Sequence, residues 1–373
     1  MIDLLRRSRY NTAYRAETTR KEEARVRKGW LLVFVVCAVW LVGYGAFAEE
    51  PVYLGTAIRS LANPYHAMWA EGAKAFAHSL GWDDYNVILT CEGSSEKQLN
   101  DIKALVARSK GNVVFSIDPN QSTDALAIAN ELEKNQVYFV TWWNKPDEVR
   151  VTDYKYWVCH ITFDNRASGY NTAKILFDAI GGKGKVFALQ GLLGNSAAIE
   201  RWEGFQKALK EYPDIELVGW EAADWEKVKA YNHVSNALIA HPDIKAIWCA
   251  NDAMAIGAIE ALRARGLAGK VPVSGVDAIP EMITAIKNGE AVATVASDAF
   301  WQGGMGLSIA LAAKQGKIKV EELPENKREW IAKTILITKE NVDWYIQNFI
   351  EGKPQYDWNN YWERWVRGIR EQG

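Results

Sequence analysis

Five histidines, at positions 66, 78, 160, 233 and 241, are among the scarcest of the chemistry-bearing side chains in this 373-residue sequence. None belongs to an H-E-x-x-H run, and neither G-x-S-x-G nor G-x-x-x-x-G-K-[ST] occurs. The signatures of zinc hydrolases, serine hydrolases and P-loop enzymes are therefore missing. Gly191-Leu192-Leu193-Gly194-Asn195-Ser196 lies between a strand-like and a helix-like run, where a phosphate could meet a helix N-terminus. It lacks the third glycine and the acidic residue of a dinucleotide fingerprint. A tight turn capped by Ser or Asn is the plainer reading. His78 and His241 precede Ser79 and Pro242 at expected helix ends, where an imidazole favours the helix dipole. Cys91, Cys159 and Cys249 fall in or just after strand-like runs at no metal-ligand spacing. Buried free thiols are the expectation, with a single disulfide as the alternative. Nothing here compels catalysis, but tryptophan, at 17 residues, is in excess of what packing asks for.

The elements that must position these residues follow a clear rhythm. Strand-like runs at 52–58, 85–91, 112–117 and 137–142 alternate with helix-like runs at 64–80, 95–109 and 122–134. After a polar stretch at 144–155 the alternation restarts. Helices are expected at 166–180, 196–211, 225–240 and 252–265, with strands at 184–190, 215–220, 244–250 and 271–276. A helix at 300–315 and a strand within 330–338 then return to the first set. Such βαβα order predicts an α/β fold of two doubly wound parallel-sheet lobes joined by a multi-crossover hinge, with a ligand-sized cleft between them. The expected division is 49–162 plus 298–332 for the N-terminal lobe and 163–297 plus 333–345 for the C-terminal lobe. Residues 346–373 form an aromatic-rich tail, read as a segment packed across a lobe, with a partner-docking surface as the alternative.

Composition narrows the function classes. At 49% hydrophobic and 24% charged, the chain is ordinary globular protein rather than disordered or collagen-like. Net charge of −2 gives no support for nucleic-acid binding. Residues 1–48 carry nine Lys/Arg against four Asp/Glu, leaving the body acidic, and Gly29–Ala48 is an uncharged run of 20 residues. Basic residues before it and Ala46-Phe47-Ala48 at its end predict a signal peptide cleaved after Ala48, with an uncleaved anchor as the alternative. Either way the body is exported to the periplasm. A cytoplasmic repressor is disfavoured, because the basic segment runs into the apolar one instead of a DNA-binding head.

Four motifs carry a resemblance. Arg59-Ser60-Leu61-Ala62-Asn63-Pro64-Tyr65-His66 follows the first strand. Leu189-Gln190-Gly191 continues through Asn195-Ser196-Ala197-Ala198 to Glu200-Arg201-Trp202-Glu203-Gly204-Phe205. Asn251-Asp252-Ala253-Met254-Ala255-Ile256-Gly257-Ala258 and Gly275-Val276-Asp277 complete the set. In order and spacing they resemble the ribose-binding-protein-like periplasmic solute-binding proteins of sugar ABC transporters (the type I periplasmic binding fold), over about 52–340.

The resemblance implies a sugar held by aromatic faces and a polar rim. Asn63, Tyr65 and His66 would come from the first lobe, and Arg201, Trp225, Asn251 and Asp277 from the second. An Arg201–Asp277 pair would supply charge-assisted bonds that discriminate among hydroxyls. Plainer roles stand beside these: Asn63 as a helix cap, Tyr65 and Trp225 as packing aromatics, Arg201 paired with Glu200 or Glu203, Asp252 as a cap. The sequence also departs from the family. Thr141-Trp142-Trp143-Asn144 stands where an Asp-Arg fork is usual, Ser297 where a hinge Gln is usual, and Arg59 where a small hydroxyl residue is usual. Trp142, Trp143 and Ser297 join the candidate contacts, with the alternative that one indole packs into the lobe. These changes disfavour ribose and make a larger, less hydroxylated or partly cationic ligand plausible. The expected partners are a small sugar or polyol and an inner-membrane ABC permease, for a monomer with no metal, cofactor or nucleic acid. A membrane-tethered sensor, a binder of a non-sugar ligand and an enzyme on the same fold are the competing readings.

Overall fold

Asn63 begins the first helix, Pro64–Leu80, by accepting a hydrogen bond from the Tyr65 amide, with Pro64 in the first turn and Gly81 closing the end at φ 71°. Each device satisfies or removes a backbone group the helix cannot pair itself. Asn251 caps Asp252–Arg263 in the same way, through the Met254 amide. The strands are short runs with little polar alternation; Val113–Ile117 and Trp157–Phe163 are buried along their whole length. This is the pattern of a parallel sheet covered on both faces.

The computed structural model describes residues 51–352 and 354–371. The signal or anchor expected at 1–48 lies outside the described residues. Among the described residues no helix is long and apolar enough to cross a membrane.

From Val52 onward the chain forms one compact unit containing two sheets. The first runs, edge to edge, Trp365–Gly368, Glu329–Ala332, Trp157–Phe163, Phe139–Trp142, Val113–Ile117, Tyr53–Ile58 and Asn86–Thr90. All its pairs are parallel except the first, where Trp330 faces Gly368 in antiparallel register. The second runs Ile335–Thr338, Ala291–Ala296, Val273–Ser274, Ile244–Cys249, Gly184–Gln190 and Ile215–Ala222. Only its Ile335–Thr338 edge is antiparallel. The protein is thus two doubly wound α/β lobes.

The chain passes between the sheets at 164, 297–298 and 333–334, then returns through the aromatic-rich segment to the first sheet. The single strand expected in 330–338 is two strands, one in each sheet. Strands Trp157–Phe163, Ala291–Ala296 and Trp365–Gly368 are additional to those read from the sequence. The first carries a histidine in a fully buried position: His160 bonds the Thr141 hydroxyl at 2.9 Å, and burial pushes its pKa well down, keeping the ring neutral.

One helix, Ala299–Lys314, is apolar nearly all round and lies against Pro64–Leu80 beneath the first sheet. A Cβ on Gly303 would sit 1.9 Å from the Trp69 carbonyl oxygen, and one on Gly72 would sit 1.8 Å from that of Phe300. Glycine at both positions lets the two backbones touch. Cys91, Cys159 and Cys249 are buried free thiols.

Candidate functional site

In parallel sheets the loops after the strands converge at one edge, and ligands collect there. Both lobes turn that edge toward the same cleft. The first lobe supplies Asn63, Tyr65 and His66 after Tyr53–Ile58, Asp118 and Asn120 after Val113–Ile117, and Trp143 and Asn144 after Phe139–Trp142. The second supplies Asn195 and Arg201 from the loop and helix after Gly184–Gln190. Trp225, Asn251 and Asp277 follow its next three strands in chain order.

The first-lobe wall is a short network. His66 Nε2 lies 3.1 Å from Asp118 Oδ2, and Asn144 Nδ2 donates to Asp118 Oδ1 at 2.9 Å. The Tyr65 hydroxyl meets Ser297 Oγ at 2.9 Å and also receives a bond from Gln302 Nε2. Burial raises the Tyr65 pKa well above the usual phenol value, so the ring stays neutral.

Arg201 is the centre of the second-lobe wall. It donates to the Ala250 carbonyl at 2.8 Å and to Asn165 Oδ1 at 3.2 Å, and approaches Asp277 Oδ1 only to 3.8 Å. Its guanidinium carbon is 5.0 Å from the Trp143 ring centre and 5.7 Å from that of Trp225. A cation flanked by an indole from each lobe is favourably placed over their π faces. Burial lowers the Arg201 pKa and raises that of Asp277 to about 6, the nearby Arg201 opposing the latter shift. Three of these side chains stand on positive-φ backbone: Trp143 at 60°, Trp225 at 69° and Asp277 at 133°. Non-glycine residues hold such angles only where the surroundings compel them, and such strain gathers at working sites.

Eight of the ten residues singled out from the sequence line the cleft: Asn63, Tyr65, His66, Trp143, Arg201, Trp225, Asn251 and Asp277. Two do not, and both are corrections. Trp142 is fully buried, donates its indole N–H to Ser116 Oγ at 3.0 Å, and meets Trp69 and Trp301 edge to face. It is the last residue of its strand and faces the core, whereas Trp143, beyond the strand end, turns into left-handed backbone at φ 60° and takes the cleft. Ser297 is also buried and acts from behind, on the Tyr65 hydroxyl.

Asp252 lies outside the lining as well. Its carboxylate accepts from Thr294 Oγ1 in the strand Ala291–Ala296 and from the Ile279 amide in the loop after Val273–Ser274. Sequence reasoning missed Asp118 and Asn120 as site residues, although their position just after the third strand was the available signal. Asn144 and Asn195, which the sequence shows only as members of longer motifs, also line the cleft. Among the described residues no group of three or more His, Cys, Asp or Glu is arranged to hold a metal ion.

The family comparison agrees with this architecture. The periplasmic binding protein domain matches residues 54–318. The chain belongs to the periplasmic binding protein family. Among curated members, it is 32% identical over 298 residues to the D-allose-binding periplasmic protein of Escherichia coli K12, covering 79% of this chain and 93% of that one. It is also 32% identical over 290 residues to the ribose import binding protein of Salmonella typhimurium LT2, covering 77% and 92%.

Among solved structures, a twin-arginine translocation pathway signal protein from Burkholderia phytofirmans superimposes with a TM-score of 0.84 at 42% identity, covering 87% of this chain and all of that one. An ABC transporter periplasmic solute-binding protein from Actinobacillus succinogenes with bound D-allose gives 0.69 at 28%, covering 79% and 100%. Members of the family are solute-binding proteins of the periplasm.

Proposed function

We propose that this protein is the substrate-binding component of an ABC importer, holding one monosaccharide or related polyol between its lobes and presenting the closed form to an inner-membrane permease. The observation that carries the reading is the composition of the cleft. Aromatic faces (Tyr65, Trp143, Trp225) stand beside amides and charged groups (Asn63, Asp118, Asn144, Arg201, Asn251, Asp277), drawn from both lobes. A sugar ring has apolar C–H faces and a hydroxyl rim that donates and accepts, and this set matches both. Residues 49–162 with 298–332 serve as one jaw and 163–297 with 333–345 as the other.

Ligand contacts in both jaws favour the closed state over the open one, and that differential affinity is the signal a permease reads. The protein works as an exported monomer, makes and breaks no covalent bond, and needs no cofactor. With Trp143-Asn144 in place of an Asp-Arg fork, we assign it a ligand other than ribose. The relatives bind allose, ribose and xylitol by name, which sets the starting panel.

A thermal-shift screen of pentoses, hexoses, deoxy and amino sugars, polyols and cyclitols tests this, with calorimetry on each hit. A ligand at 100 times its Kd raises stability by about 2.7 kcal/mol. One compound class should shift the melting point, and Arg201→Ala and Asp277→Ala should abolish the shift. A flat response across the whole panel would remove the sugar reading.

A further inference from the structure

Across the cleft the lobes are joined by hydrogen bonds from the 194–196 segment to two first-lobe loops. Asn195 Nδ2 donates to the Asn120 carbonyl at 2.8 Å, and the Ser122 amide donates to the Gly194 carbonyl at 3.1 Å. The Ser196 amide donates to Ser122 Oγ at 2.8 Å, the two hydroxyls are 2.7 Å apart, and Ser196 Oγ reaches the Lys145 carbonyl at 2.9 Å. The first-lobe side is held firmly. Asn120 donates its backbone N–H to Gln98 Oε1 at 2.9 Å and its Nδ2 to the Gly93 carbonyl and Ser95 Oγ, and its Oδ1 accepts from Arg59 Nη1 at 2.8 Å.

Asn195 differs from the other members because its side chain faces two ways. While Nδ2 bonds the opposite lobe, Oδ1 accepts the indole N–H of Trp225 at 2.6 Å. The amide is planar, so fixing one end orients the other. The Trp225 ring is confined on its far side too: a Cβ on Gly191 would lie 2.1 Å from it. Asn195 itself is buried.

We infer that Asn195 is a positioning residue that couples lobe closure to the seating of the Trp225 indole in the cleft wall. When the lobes part, Nδ2 loses the Asn120 carbonyl and the amide is free to turn, releasing the indole N–H. When they meet, the indole is held against Gly191 with its ring beside Arg201. Coupling between two such events is reciprocal, so a seated Trp225 also favours the closed form.

The inference rests on the interlobe cleft being the ligand site, yet its test needs no ligand. Ser122→Cys with Ser196→Cys places two thiols where the hydroxyls are 2.7 Å apart. Their rate of disulfide formation in the purified full chain, against each single cysteine as control, reports the closed population. In that background Asn195→Ala should slow trapping about three- to tenfold, the range for one lost hydrogen bond. Trp225→Phe keeps an aromatic face but loses the N–H, and should slow trapping by a similar factor. The double variant should be no slower than Asn195→Ala alone. Asn195→Asp keeps an acceptor for Trp225 but sets a carboxylate against the Asn120 carbonyl, so it should trap no faster than Asn195→Ala.

Wild-type trapping in Trp225→Phe, or effects of the two substitutions that multiply, would overturn the coupling. Wild-type trapping in Asn195→Ala would overturn the latch itself. A flat sugar panel with the trapping pattern intact would remove only the sugar reading and leave this one standing.

Discussion

Two mostly buried Arg–Asp pairs, one in the cleft and one at the hinge, are built to opposite designs. At the hinge, Asp298 stands at φ 59° where the chain crosses from second to first lobe. Its carboxylate accepts from the Trp301 amide at 3.0 Å, the Tyr356 hydroxyl at 2.7 Å and Arg364 Nη2 at 2.6 Å. Arg364 and Tyr356 both come from the C-terminal aromatic segment, so that segment clamps the crossing. In the cleft, Asp277 and Arg201 approach only to 3.8 Å, and Arg201 spends its good bonds on the Ala250 carbonyl and Asn165. A charge taken out of water requires close, complete pairing. The hinge pair has it, so removing either partner strands a charge; the cleft pair lacks it, which is the arrangement the proposed ligand site needs.

That contrast can be broken by substitution. The largest effect belongs to Asp298→Ala, which leaves Arg364 without its partner and should lower unfolding free energy by about 3–5 kcal/mol. Chemical denaturation reads this, and sugar affinity of the protein that remains folded should change far less. Arg201→Ala should do the reverse. Binding of whichever panel compound is the ligand should weaken by about 2–4 kcal/mol in calorimetry, since truncating one member of a buried charge pair strands the other. Its melting point should fall by less than that of Asp298→Ala.

Titration gives the third comparison. Asp277 is raised to about 6, chiefly by burial. A carboxyl whose folded pKa lies above its unfolded value of about 3.9 contributes stability that is complete below that value and lost as pH rises through about 6. Ligand affinity runs the other way, because the carboxylate that accepts hydroxyls exists only above its pKa. Calorimetry should show the association constant falling about tenfold per pH unit below 6, and Asp277→Asn should flatten the profile. The smallest effect separates the neighbouring indoles. Trp143→Phe should weaken ligand binding by about 1 kcal/mol with little loss of stability. Trp142→Phe should cost about 1 kcal/mol of stability through the lost bond to Ser116, with binding nearly unchanged.

Much of the fold was legible in the chain. The βαβα rhythm, the cap at Asn63 and the break between lobes are local signals, because periodicity and capping depend on near neighbours, whereas the cap expected at Asp252 falls one residue earlier, on Asn251. Of the strands that were missed, Ala291–Ala296 carries such a signal, an apolar run with two valines and a threonine; the other two are less regular. Trp157–Phe163 is interrupted by Cys159 and a histidine that burial between neighbouring strands holds neutral, and Trp365–Gly368 is a four-residue edge strand recruited by Glu329–Ala332. The second-lobe side of the candidate site was read more fully than the first. Arg201, Trp225, Asn251 and Asp277 sit in or next to recognisable motifs, whereas Asp118 and Asn120 are marked only by following a strand that the sheet places beside the cleft.

The sequence by itself determined the alternation of elements, the helix starts and the residue types that a polyhydroxy ligand demands, since each is written in contiguous spacing. Only the tertiary structure decided which of Trp142 and Trp143 faces the cleft, that Ser297 acts through Tyr65, and that one amide at Asn195 touches both Asn120 and Trp225. Those contacts join residues 232, 75 and 30 positions apart, and the first choice sets one side chain against its neighbour. The turn of the chain beyond a strand end and the approach of the lobes settle such choices, and both are imposed by the packed structure.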